Sequence, residues 1–69
     1  MWVLRSKVNG KLYSDAKTVF NVAGDRIEVI FNDLNPYIFG REYAAWLTRN
    51  VVDLGNVWDM VAEEVVECL

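Results

Sequence analysis

Asn56-Val57-Trp58-Asp59-Met60-Val61-Ala62-Glu63-Glu64-Val65-Val66-Glu67-Cys68-Leu69 is the most strongly amphipathic stretch of the chain. At 100° per residue, Val57, Trp58, Val61, Ala62, Val65, Val66, Cys68 and Leu69 fill one half of a helical wheel. Asp59, Glu63 and Glu67 form a stripe opposite, with Glu64 beside it. Asn56 stands where an N-cap is expected, and Asp59 falls near the positive end of the helix dipole. The pattern predicts a helix over about residues 56–68.

Upstream of it, Asp53-Leu54-Gly55-Asn56 is a short break. Before the break, Asn35 is a candidate N-cap and Pro36 fits a first helical position, where its missing N–H costs nothing. Leu34 and Phe39 have the spacing of a hydrophobic staple. The prediction is a helix over about 36–51. Gly40 is placed to divide a short first turn from a main helix of about 41–51, and Tyr43, Ala44, Leu47 and Val51 make the apolar stripe.

Residues 2 to about 32 are rich in β-formers: Val3, Val8, Val19, Phe20, Val22, Ile27, Val29, Ile30 and Phe31. Asn9-Gly10 is a strong hairpin signal, because both residues tolerate positive φ. It is read as joining residues 2–8 to a strand that starts near Lys11. Gly24-Asp25 is read as a second hairpin loop. That register sets Ala23 against Arg26, Val22 against Ile27, Phe20 against Val29 and Thr18 against Phe31, so that one face collects the apolar side chains. A competing helix, capped by Ser14 and ended by Gly24, is disfavoured by the β-branched residues of Thr18–Val22. The expected fold is α+β: a small three-stranded antiparallel sheet (about 2–32), then two helices (about 36–51 and 56–68) packed on one face, in a single domain spanning 1–69.

Composition excludes much chemistry. The chain has no His and one Cys, so a Ser-His-Asp or Cys-His nucleophile, a four-ligand N/S zinc site and an internal disulfide are all out of reach. No carboxylate pair has a spacing that fixes a reaction, no glycine-rich phosphate loop is present, and neither an enzyme nor a bound cofactor is expected. No apolar run reaches the ~18 residues of a membrane span, and Arg5 and Lys7 interrupt what would otherwise read as a leader, so a cytoplasmic protein without a membrane role is expected. Cys68 is read as a small buried hydrophobe.

The net charge of −3 is unevenly distributed. Residues 1–34 hold five basic and four acidic residues, whereas residues 35–69 hold two and six. Like charges at i, i+4 cost a helix a few tenths of a kcal/mol each, so Asp59, Glu63, Glu64 and Glu67 point to a docking surface for a larger, basic protein. Trp46, Arg49, Tyr37 and Phe39 are of the residue types that anchor interfaces. In size, acidity and lack of catalytic groups the chain resembles the small stoichiometric inhibitors encoded by phages and mobile elements, among them anti-CRISPR proteins. What that profile implies is occlusion of a nucleic-acid-handling complex. A homodimeric assembly subunit is the alternative, since chains below about 80 residues often need a partner subunit. A further alternative is a sheet that stacks single-stranded RNA through Trp2, Tyr13, Arg5, Lys7, Lys11 and Lys17, although the acidic balance speaks against direct nucleic-acid binding.

Overall fold

The computed structural model describes residues 1–66. Their elements run β1 (Trp2–Ser6), β2 (Tyr13–Val19), β3 (Arg26–Phe31), α1 (Glu42–Val52) and β4 (Met60–Glu64). The fold is a small α+β arrangement of two two-stranded antiparallel ladders, β1–β4 and β2–β3, with one helix. This corrects the expected three-stranded sheet with two helices.

The main correction falls on residues 56–66. Two backbone conformations forbid a helix start there: Asn56 and Asp59 both sit in the left-handed region, at φ 54° and 45°. An N-cap needs extended backbone, and the first turn needs right-handed helical angles. Beyond Asp59 the chain pairs with β1, setting Trp2 against Glu64, Leu4 against Ala62 and Ser6 against Met60. β1 is apolar on both faces, with Val3 and Leu4 buried, so it gains most from a neighbour that completes its hydrogen bonds. The β-branched valines suit that role as well as they suit a helix. The proposed helix beyond residue 66, with Glu67 and Cys68, lies outside the described residues.

The first helix is shorter than expected. Residues 37–39 are tied to neighbouring strands. The Trp2 and Phe39 N–H groups each donate to the other's carbonyl at 2.8 Å, and the Tyr37 N–H donates to the Tyr13 carbonyl at 2.9 Å. Asn35 therefore caps nothing, and exposed Leu34 does not staple to buried Phe39. Helix begins only after Gly40, with Arg41 in extended conformation at the N-cap.

Residues 13–19 are strand, as the β-branched composition favoured, but the hairpin register moves by four. Thr18 faces Ile27 and Ala16 faces Val29, so residues 20–25 form a longer loop. Asn21 accounts for the shift. Its Oδ1 accepts the Ala23 N–H at 3.2 Å and its carbonyl accepts the Gly24 N–H at 3.1 Å, closing a turn before Gly24-Asp25 can make one. Gly24, at φ +129°, occupies backbone open only to glycine. Asn9-Gly10 does turn the chain. Gly10 is at φ +71° and its N–H donates to the Ser6 carbonyl, although no ladder joins β1 to β2 and the turn is closed only by an isolated Arg5–Leu12 bridge.

The core is one cluster of Leu4, Tyr13, Phe39, Ala45, Val52 and Met60, with Trp2, Phe31, Trp58 and Ala62 packed against it. Tyr13 stacks on Phe39 at 6.2 Å, and Phe31 meets Trp58 edge-on at 5.1 Å. Fully buried Ser6 secures the β4 approach: its hydroxyl donates to the Trp58 carbonyl at 2.8 Å and accepts the Val8 N–H at 3.1 Å.

Candidate functional site

α1 turns inward the side that its sequence marks as less apolar. Ala45 and Val52 are buried, and Thr48 and Arg49 are half-buried between them. The predicted stripe of Tyr43, Ala44, Leu47 and Val51 therefore faces solvent. Tyr43 is 66% exposed, Trp46 48%, Leu47 44% and Val51 58%. Tyr43 and Trp46 stack at 6.0 Å with their planes 18° apart. With Asn50, these residues follow i, i+3, i+4, i+7, i+8 spacing, which puts them on one side of a helix. The reason for the inversion is size: Ala45 lets the helix backbone approach the β1–β4 ladder closely, where Leu4 and Met60 already fill the space.

The inner side of α1 carries an unusual polar group. The Arg49 Nε is buried and has no hydrogen-bond partner among the described residues. Asp53, at the C-cap, is also buried. Its Oδ1 accepts the Trp58 N–H at 2.9 Å, and its own N–H donates to the Arg49 carbonyl. This holds the 53–58 turn against the helix end. Between that turn and the far part of the β2–β3 hairpin lies an open groove of about 430 Å³, walled by Ile27, Val52, Val57 and Trp58 with Asp25 and Arg26 at its rim. The lining is mainly apolar and suits an apolar group better than proton transfer.

The acidic residues are dispersed. Glu63 and Glu64 project from opposite faces of β4, as strand neighbours must. Glu63 accepts from the Arg5 Nε at 3.0 and 3.2 Å, and Arg5 also donates to the Gly10 carbonyl at 2.7 Å. Glu64 is exposed beside Trp2, and exposed Asp59 receives the Lys7 N–H on its backbone carbonyl at 3.2 Å. The helical stripe joining Asp59, Glu63 and Glu67 depended on a helix that the described residues do not form, and Glu67 lies outside them. Phe39 is in the core, and half-exposed Tyr37 packs on it at 4.7 Å. Of the expected anchors, Trp46 alone stands on the outward face of α1, where Tyr43, Leu47 and Val51 join it.

One tyrosine has a displaced titration. Burial, then the carboxylate of Asp15 and the phenol of Tyr37, push Tyr13 above the ordinary value of 10.0. Among the described residues no group of three or more His, Cys, Asp or Glu could hold a metal ion, and no helix is long and apolar enough to cross a membrane. No family model matches the chain, no curated protein sequence matches it, and no solved structure matches it.

Proposed function

We propose that this chain is a protein-binding module whose working surface is the outward face of α1, and that it acts by covering or being covered rather than by chemistry. The observation that supports this reading is the solvent-facing cluster of Tyr43, Trp46, Leu47 and Val51. Four large apolar side chains on one helix face are costly to leave in water, and contiguous patches of this kind mark interaction sites. Helix-in-groove and helix-on-helix contacts read such i, i+3, i+4, i+7 anchors. Trp and Tyr are the residue types that dominate binding energy when a partner desolvates them.

Stoichiometric occlusion of a larger protein fits this surface if the partner presents an apolar groove. An acidic helix attracting a basic partner has no part in this reading, because residues 60–64 are a strand and Glu63 is paired with Arg5. The test compares proteins retained from source-cell lysate, free copies of the chain included, by immobilised wild type, Leu47→Asp and Trp46→Ala. A Lys7→Glu chain serves as a control away from α1. Retention lost in the first two and kept in the third is the expected result. Equal retention by all four chains refutes α1 as the binding face.

A further inference from the structure

We propose that the C-terminal end of α1 carries a binding site for a small polar α-amino acid, whose carboxylate meets Arg49 and whose ammonium meets Asp53.

The first observation is a charge without a partner. The ion pairs among the described residues are Arg5–Glu63 and Lys17–Glu28, and Arg49 belongs to neither. Its Nε is buried and bonds to nothing among the described residues. Buried polar groups are nearly always satisfied, so an unsatisfied one marks a place where the chain alone is incomplete. The natural partner is one turn away, since Asp53 stands at i+4, the spacing of a helical ion pair. The buried Asp53 carboxylate is instead fixed on the 53–58 turn, where Oδ1 accepts the Trp58 N–H at 2.9 Å. A cation and an anion on one helix end are thus kept from each other.

The second observation is the cavity that both residues line. Arg49, Asn50, Asp53, Leu54 and Asn56 enclose about 210 Å³. The Asn56 N–H donates to the Asp53 carbonyl at 3.0 Å, which closes the turn that returns Asn56 to the helix end. At about 30 Å³ per water molecule, the cavity has room for about seven. It is smaller than the ~300 Å³ at which pockets for drug-sized ligands begin, and it suits a molecule of few heavy atoms. Of the lining side chains only Leu54 is apolar.

Charge selects the ligand. A simple anion would gain from Arg49 but oppose the Asp53 carboxylate and the negative end of the α1 dipole. A simple cation would gain from those two and be repelled by Arg49. A molecule carrying both signs close together gains at each, and an α-amino acid carries a carboxylate and an ammonium on one carbon. The Nη groups of Arg49 take the carboxylate in charge-assisted hydrogen bonds. The second carboxylate oxygen of Asp53 and the last carbonyls of α1 take the ammonium. The amides of Asn50 and Asn56 offer donors and acceptors to the side chain, which favours a short polar one over a hydrocarbon.

The experiment follows the backbone amides of the full chain by ¹⁵N NMR at pH 7. Serine, asparagine, leucine, acetate and methylammonium are each added up to 20 mM. Serine and asparagine should shift residues 49–58 saturably, with a Kd at least about tenfold below that of leucine, acetate or methylammonium. Arg49→Gln should weaken serine at least about tenfold. Asp53→Asn keeps an oxygen for the Trp58 N–H and removes the charge. It should weaken serine and strengthen acetate, a reversal that a merely structural loss would not produce. If either variant fails to fold by circular dichroism, Asn50→Phe, at an exposed position, fills the cavity and should abolish the shifts. No saturable shift with serine or asparagine at 20 mM overturns the proposal. Acetate binding to the wild type as tightly as serine shows a plain anion site and overturns the amino acid. Serine binding unchanged in Arg49→Gln or in Asn50→Phe puts the ligand elsewhere and overturns the site.

Discussion

Met60→Ala tests the reassignment of residues 60–64 directly. Met60 is fully buried at the first position of β4, opposite fully buried Ser6 and within the cluster of Leu4, Phe39 and Ala45. Truncating a buried Met to Ala costs about 2–5 kcal/mol, because the lost transfer energy is compounded by the cavity left behind. Val61, its neighbour, points to the other face of the ladder and is only half-buried. Val61→Ala should cost about 1 kcal/mol. A helix would reverse the order, since Val61 would lie in its apolar half and Met60 outside it. The assay is urea unfolding followed by circular dichroism at one fixed protein concentration. With a slope near 1 kcal/mol per molar, Met60→Ala should lower the midpoint by about 2 M or more. Sixty-nine residues support only about 3–10 kcal/mol in total, so Met60→Leu provides a folded control that should lose less than about 1.5 kcal/mol. A larger loss for Val61→Ala than for Met60→Ala would refute the strand.

Three further outcomes are expected. Ser6→Ala leaves the Trp58 carbonyl and the Val8 N–H without their partner and should cost about 1–3 kcal/mol in the same unfolding assay, whereas a neutral result would show that water replaces the hydroxyl. The Arg5–Glu63 pair is part-exposed, so a double-mutant cycle through Glu63→Gln and Arg5→Gln should give at most about 1 kcal/mol and shrink at 0.5 M salt; a salt-independent coupling of several kcal/mol would contradict its exposure. Because the folded state holds the Tyr13 proton more tightly than the unfolded chain does, the stability tied to it is intact below pH 10 and is lost as pH rises above that value. Tyr13→Phe should therefore flatten the fall in thermal midpoint between pH 10 and 11.5, and parallel curves for the two proteins would remove Tyr13 as the cause.

Local signals in the sequence were sound where short-range chemistry decides the structure. Gly10 turns the chain because, with no side chain, it can take φ +71°, the Asn9 Oδ1 accepts the Lys11 N–H at 2.9 Å, and β-branched Thr18 and Val19 lie in a strand. Gly40 marks the boundary of the first helix, which α1 begins two residues beyond. What the sequence obscured were choices settled by a distant partner. Residues 60–64 satisfy a helical period and a strand equally, and the partner that decides lies at residues 2–6. Pro36 suits a helix start, yet residues 37–39 gain more by bonding to Trp2 and Tyr13. The stripe of Tyr43, Leu47 and Val51 was legible, but the rule that apolar stripes face inward gave it the wrong direction. Small Ala45 permits a closer approach than the large side chains do. Tyr43, absent from the expected anchors, was discoverable from its i, i+3 relation to Trp46.

The pairing of β1 with β4 also sets an order of events at the ribosome. Arg5 and Glu63 are 58 positions apart, so β1, once made, waits for β4. Closing so long a loop costs entropy before any ladder bond repays it, and contacts of such separation slow folding. Until residues 60–64 emerge, Val3 and Leu4 have no neighbour on that side, while the β2–β3 hairpin and α1 can already form. The nascent chain therefore passes through an interval in which the strand that ends up most buried is open to chaperones or to another nascent copy.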